Sequence, residues 1–204
     1  MNPELENNGS RMDRKKEDTK RKIIHAAMLL FKDHGLEQTT MEQIAEQADI
    51  AKGTLYNYYP VKEAIISDYI ERVSTERNSG RIERLPELLD TRTRLIRTLR
   101  ELISWVKDQP VLFEKYFTYQ IQHIISLRPN ESTASGFRLI GTEIILLGEA
   151  SGEIRTDLPF DSLISLFEFV FIKVVQKYYQ DPQSFNDDEV IRQYVDLFMN
   201  AVKI

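Results

Sequence analysis

The chain has 204 residues, of which 42% are hydrophobic and 29% charged, with a net charge of −5 and no cysteine. That balance suits a folded protein with a sizeable core rather than a disordered one. The missing thiols exclude disulfides, cysteine-ligated zinc and thiol catalysis, and they agree with a cytoplasmic protein.

No apolar run reaches the roughly 18 residues of a membrane span, and the first 22 residues lack the apolar stretch of a secretory signal. The acidity is unevenly placed. Residues 1–62 hold ten Lys or Arg against ten Asp or Glu, so the other 142 residues carry the whole deficit. Residues 11–22 alone hold seven positive charges against three negative. The front of the chain is therefore free to meet phosphates.

Apolar periodicity predicts an all-α protein of about nine helices, at about 18–33, 40–47, 51–58, 61–78, 91–107, 111–127, 135–149, 160–179 and 187–202. Pro60, Pro86, Pro110, Pro129, Pro159 and Pro182 fall between the periodic stretches and interrupt none of them. Residues 1–16, charged and nearly without large apolar groups, are expected to be mobile.

In the first helix Ile23, Ile24, Ala27, Leu30 and Phe31 form an apolar face. The second opens with Thr40 and carries Gln43 three residues later, the spacing of a capping box. Met41, Ile44, Ala45 and Ala48 then share one side of it. The third crowds Lys52, Thr54, Tyr56 and Asn57 around Leu55. Two short helices joined by a tight turn and preceded by an amphipathic one describe a helix-turn-helix unit. In such a unit Lys52 can reach guanine acceptors or a phosphate, and Gly53 removes a side chain where backbone and DNA approach closely. Thr54, Tyr56 and Tyr58 offer hydroxyls, while Lys62 sits at the N-terminal turn of the next helix. The plainer alternative is that the tyrosines pack a small core, which is the expected role of Leu55 and Tyr59.

Residues 19–65, above all IIHAAMLLFKDHGLEQTTMEQIAEQADIAKGTLYNYYPVKEA, closely resemble the DNA-binding domain of the tetracycline-repressor family of bacterial transcription regulators. The matching features are Ala26-Ala27 and Phe31 before Gly35, Thr39-Thr40, Ile44-Ala45, Gly53-Thr54-Leu55-Tyr56, Tyr58-Tyr59 and Lys62-Glu63. The resemblance implies phosphate or base contacts at Thr40, Lys52, Gly53, Thr54, Tyr56, Asn57, Tyr58 and Lys62. Ala51 stands where a capping Ser is usual, and Tyr59 where Phe is usual. The layout implied is an N-terminal arm and helix-turn-helix domain over 1–62. A larger helical domain over 63–204 would bind a ligand and dimerise through its last two helices, with 61–78 as the connecting lever. Partners would be operator DNA, a small lipophilic inducer and a second copy of the chain, with no cofactor and no metal.

The remaining residues carry no specific motif. Segment 160–179 is apolar on most faces, with Phe169 and Ile172 opposite Leu163, Phe167, Val170 and Val174, which suggests cover by a second subunit through 160–202. Gln120 and His123 lie inside the apolar arc of 111–127, and Glu143 lies in the middle of the arc that Leu146, Leu139, Leu147, Ile140, Ile144 and Phe137 form in 135–149. Two readings stand for Glu143: an architectural pair with an Arg or His123, or a polar contact in a mostly apolar ligand site. Trp105, Phe113, Tyr116, Phe117, Phe137 and Phe167 are candidate walls of that site. His25, His34 and His123 lack metal-ligand spacing, and there is no phosphate loop or nucleophile elbow, so no catalytic residue is expected. The alternative to a DNA-binding regulator is a helical protein-binding adaptor that reuses the helix-turn-helix.

Overall fold

A computed structural model describes residues 3–124 and 136–203, with side chains over 11–121 and 136–203. Its elements among these residues are helices: α1 (Pro3–His34), α2 (Met41–Gln47), α3 (Lys52–Tyr58), α4 (Lys62–Ile82), a 3₁₀ turn (Leu85–Glu87), α5 (Thr91–Asp108), α6 (Pro110–Ile124), α7 (Gly136–Ala150), α8 (Phe160–Gln180) and α9 (Asp187–Val202). The helical periodicity thus located the elements to within a few residues, except at two places. The 3₁₀ turn was not foreseen, and α1 begins at Pro3 where a mobile arm was expected. Pro3 suits a first helical position, where its missing N–H costs nothing. Strong helix formers dominate 11–22, and Arg21 pairs with Glu17 one turn away at 3.6 Å. The expected end of the sixth helix at 127 and start of the seventh at 135 lie outside the described residues.

The chain groups into two compact units. One draws on Met1–Ile70 and Lys115–Ile125, the other on Glu71–Glu114 and Ser126–Ile204. In the first, Ile23, Ile24, Ala26 and Ala27 of α1 meet Met41, Ile44, Ala45 and Ala48 of α2, Leu55 of α3, Tyr59 and Ile65. Small residues on α1 and α2 let the three helices close around Ile44 and Leu55, both fully buried.

In the second unit α5 packs on α9, α7 and α8, and α8 packs on α7 and α9. α5 and α9 run antiparallel, tied along their length by Arg92 with Asp196, Arg100 with Asp188 (2.7 Å) and Lys107 with Asp187. The face that α7 buries is Phe137, Ile140, Gly141, Ile144, Ile145 and Gly148. It includes glycines that an apolar count passes over. A β-carbon on Gly141 would stand 2.3 Å from the Phe167 ring, and one on Gly148 would stand 2.6 Å from Ile154 and 2.7 Å from the Thr91 hydroxyl. Backbone approach therefore sets the rotation of α7. Leu139 and Leu146, expected inside, are 39% and 46% exposed.

Phe198, within the span expected to meet a second subunit, is 1% exposed and belongs to the protomer's own core. Phe169 and Leu197 are 46% and 55% exposed on the outer side of α8 and α9. No described helix is long and apolar enough to cross a membrane.

Gly141→Ala is expected to lower stability in urea unfolding by about 1–3 kcal/mol, the usual range for overpacking. Gly80→Ala, whose β-carbon would meet nothing within 4 Å, should leave stability unchanged or raise it by up to about 1 kcal/mol. Equal effects of the two would remove the close-packed role given to Gly141.

Candidate nucleic-acid interface and regulatory core

The helix-turn-helix is built on short-range hydrogen bonds that the local sequence specifies. The Thr40 hydroxyl accepts from the Gln43 amide at 3.2 Å and the Gln43 side chain accepts from the Thr40 amide at 2.8 Å, the capping box anticipated from the spacing. That bond uses the hydroxyl as acceptor, and its own O–H donates to the Glu42 carboxylate, which it helps hold in the charged form. α2 ends in a Schellman motif: the amide of Asp49 donates to Glu46 and that of Ile50 to Ala45, both at 3.0 Å. Asp49 takes the left-handed conformation the motif needs (φ 54°), and Ile50 folds back onto the core. This turn aims α3 away from α2. Asp in place of the usual Gly left no clear signal for it in the sequence.

α3 has no side-chain cap, as Ala51 led us to expect, and Leu55 is its one fully buried residue. Its last residues are fixed from outside. Tyr59, 4% exposed, donates its hydroxyl to Asp68 on α4. Asp68 also accepts from Lys20 of α1 at 3.1 Å, and the Lys20 ammonium stands 5.8 Å over the Tyr59 ring. Tyr59 therefore supplies a hydroxyl that Phe could not.

The opposite side of α3 faces solvent. Lys52, Gly53, Tyr56 and Asn57 are exposed, Thr54 and Tyr58 half-buried, and Thr40 at the start of α2 is exposed. A β-carbon on Gly53 would meet nothing within 4 Å, so no contact inside the protein requires glycine there. Lys52 pairs with Glu42 of α2 and lies 5.9 Å from the centre of the Tyr56 ring. The hydrogen bond from Lys52 holds the Glu42 carboxyl below its ordinary range, and the same bond raises the ammonium.

Lys62 does something the sequence did not suggest. Its ammonium donates to the carbonyl oxygens of Leu36 (2.7 Å) and Thr39 (2.8 Å), pinning the loop between α1 and α2. Two of its three donors are thereby committed, and a charged donor near the start of α4 closes unpaired carbonyls instead of standing free.

The residues expected around a ligand separate into small groups. In the larger unit Trp105 and Phe113 meet edge to face with ring centres 4.7 Å apart. Phe137 lies 4.6 Å from Phe171, and Phe167 is fully buried against Gly141. In the smaller unit Tyr116 and Phe117 meet at 5.1 Å, and Gln120 donates to the Ser67 hydroxyl at 3.4 Å. The side chain of His123 lies outside the described residues.

Glu143 is half-buried, not central to a buried arc. At 100° per residue it stands roughly 140–160° around α7 from Gly148 and Gly141. The rotation set by the glycines turns it away. Arg138 pairs with Asp161 at 2.6 Å and Lys115 with Glu37 at 2.9 Å.

A groove of about 390 Å³ lies elsewhere, between Phe169, Lys173, Gln176 and Lys177 of α8 and Tyr194 and Leu197 of α9. None of the residues expected around a ligand lines it.

Four buried polar atoms of the larger unit have no hydrogen-bond partner among the described residues: the Ser74 and Thr91 hydroxyls, one Arg94 guanidinium nitrogen and the Trp105 indole nitrogen. Periodicity could flag neither Ser74 nor Trp105, because Ser74 lies in a polar stretch of α4 and Trp105 reads as an ordinary apolar position of α5.

Residues 23–69 match the sequence family described as bacterial regulatory proteins, tetR family. Over nearly its whole length the chain is similar to the uncharacterized HTH-type transcriptional regulator YdeS of Bacillus subtilis. The two are 28% identical over 201 residues, which cover 92% of this chain and 89% of that protein. Its fold is similar to that of Thermus thermophilus FadR, a TetR-family transcriptional repressor solved with lauroyl-CoA, at 21% identity and TM-score 0.67, covering 88% of this chain and 93% of that one. It is also similar to that of RolR, solved with resorcinol, at 19% identity and TM-score 0.68, covering 93% and 90%. With the capped α2, the Schellman turn and an α3 held by Leu55 and Tyr59, these likenesses agree on one assignment. Residues 23–69 match the tetR family of bacterial regulatory proteins, and the chain as a whole is similar in fold to its members.

Proposed function

We propose that the protein is a homodimeric, ligand-responsive transcriptional regulator, a repressor that grips a palindromic operator and releases it when a small hydrophobic inducer binds. The observation that carries the reading is the outward side of α3. Lys52, Gly53, Tyr56 and Asn57 are exposed there, while Leu55 and Tyr59 on the other side hold the helix in place. An exposed glycine inside a helix is destabilising by about 0.5–1 kcal/mol relative to Ala. Its presence where nothing in the protein crowds it fits a surface that a DNA backbone approaches. Thr40, Thr54 and Tyr58 add hydroxyls suited to phosphate oxygens, and Lys62 has one donor left beyond its two carbonyls.

For the second copy of the chain, support comes from Phe169 and Leu197, large apolar side chains exposed on neighbouring helices, with Tyr194 lining the same groove. A two-fold pair through α8 and α9 would cover them. For the inducer, the proposed wall is the aromatic core of the larger unit: Trp105, Phe113, Phe137 and Phe167. A ligand oxygen would satisfy the Ser74 hydroxyl and the Trp105 N–H, each an unpaired buried donor worth about 1–3 kcal/mol. The neighbours solved with lauroyl-CoA and resorcinol support an apolar body with oxygen acceptors. α4 contributes residues to both units, so it is the natural lever. If inducer and operator prefer different placements of it, each must weaken the other by the same coupling energy. Such a protein works in the cytoplasm.

Selection from random duplexes should return a palindrome with half-sites about one helical turn, or a small multiple, apart. Random or non-palindromic output would defeat the reading. On the selected duplex Lys52→Ala is expected to lose about 1–3 kcal/mol of affinity with stability intact. Gly53→Ala should split the two properties, gaining about 0.5–1 kcal/mol of stability while losing affinity. Leu55→Ala should instead lose about 2–5 kcal/mol of stability. A Gly53→Ala protein that binds as tightly as wild type would remove the close approach assigned to that turn.

In light scattering, Phe169→Glu combined with Leu197→Glu should give folded monomers that no longer hold the palindrome. A folded dimer would place the subunit contact elsewhere.

A further inference from the structure

Much of α1 stands ahead of the domain it belongs to. The matched region begins at residue 23, yet the helix begins at Pro3, about five and a half turns earlier. From Arg11 to Lys22 no side chain is buried, so nothing in a core holds this stretch. A helix that is polar all round is either solvated or waiting for something to cover it.

The charges say what. Seven cations against three anions within twelve residues is a marked local excess in a chain whose net charge is −5. Arg21 pairs with Glu17, and Lys20 with Asp68. Arg11, Lys15, Lys16 and Lys22 form no ion pair among the described residues. Arg11, Lys15 and Lys22 follow one another at i, i+4 and i+11, along one stripe of the helix. Lys16 lies one turn before Lys20 on the same side, and Lys20 stands over Tyr59, the residue that ends α3. The basic stretch thus starts at the C-terminal end of the recognition helix and runs outward from it.

We propose that this part of α1 is a second nucleic-acid contact, in which Arg11, Lys15 and Lys16 lie along the phosphates of duplex DNA flanking the segment gripped by α2 and α3. The inference rests on the DNA-binding reading and extends it beyond the helix-turn-helix. Residues 11–22 span about 17 Å of helix. Over that length duplex DNA presents about ten phosphate charges, which makes it a matched polyanion. A membrane surface fits less well, because an interfacial helix needs an apolar face and Met12 is the one large apolar side chain in the stretch. The contact carries no base readout. It adds affinity and salt dependence while leaving sequence preference to α3.

The test compares wild type with R11Q/K15Q/K16Q on the duplex that wild type selects, with flanks of about one extra helical turn on each side or trimmed to the palindrome. Affinity is read by fluorescence anisotropy from about 50 to 200 mM salt. On the long duplex, six phosphate contacts per dimer at about 0.9 each should make the slope of log K against log salt shallower by up to about five. On the trimmed duplex the two proteins should be alike, and R11K/K15R/K16R should restore the slope on the long one. Circular dichroism confirms that each variant folds.

An unchanged slope on the long duplex, or an equal loss on the trimmed one, would overturn the proposal. So would an unchanged slope combined with arm-dependent binding to phosphatidylserine vesicles, which would make the arm a membrane contact. A wild-type protein that selects no duplex would sink both this proposal and the DNA-binding reading. A Lys52→Ala defect beside an indifferent arm would sink only this one.

Discussion

A helix of seven residues does not hold its shape alone in water, because nucleation is unfavourable and too few hydrogen bonds follow it. α3 is such a helix, without even a side-chain cap, and everything proposed for the smaller unit depends on how its neighbours clamp it. Leu55 inserts between α1 and α2, and Tyr59 is anchored through Asp68 to Lys20. The Schellman turn at Asp49 sets the angle at which α3 leaves α2. Because these contacts lie on one side or at the ends, the other side stays free. A longer, self-sufficient helix would not need them, and a helix buried all round could not offer Tyr56, Asn57 and the bare backbone at Gly53 to a groove.

The same economy of contacts governs the larger unit in another form. α7 is fixed by how closely its backbone approaches its neighbours, with Gly141 on Phe167 and Gly148 on Ile154 and Thr91. The start of α7 is tied to α4 as well: the Gly136 amide donates to Glu71 at 2.8 Å and the Asn78 side chain donates to the Gly136 carbonyl. Ser74 lies between those two residues of α4 and meets the place where a Gly136 β-carbon would be. The unsatisfied Ser74 hydroxyl therefore sits at the joint between the helix that reaches both units and the helix whose rotation is most tightly constrained. A ligand that engaged it would act where a small shift has few ways to be absorbed.

How much of this could be read from the sequence depended on what each residue's signal was. Helices with strong apolar periodicity and proline punctuation were placed to within a few residues, and the Thr40–Gln43 box was legible because it needs only two residues at one spacing. α7 was misrotated because hydrophobicity gives glycine no weight, although three of its glycines touch neighbours more closely than any side chain would allow. Glu143 was misplaced with it, and Leu139 and Leu146 were counted as core for the same reason. Lys62 looked like a phosphate ligand because of its position at a helix start. That its ammonium closes the carbonyls of Leu36 and Thr39 depends on a contact between residues more than 20 apart, which no local pattern encodes. The helical arm was missed because charge run and mobile tail look alike when only burial is weighed.

The central claim is that DNA is met by α2, α3 and the basic stretch of α1, and by nothing in the larger unit. Hydrogen–deuterium exchange with and without the selected palindromic duplex tests it most directly, since slowed amides mark the covered elements. Slowed exchange is expected in peptides covering residues 11–22 and 40–62, with α5, α7 and α9 unchanged by the duplex. Protection confined to 136–202, or none in 40–62 under conditions where the duplex is bound, would contradict the account.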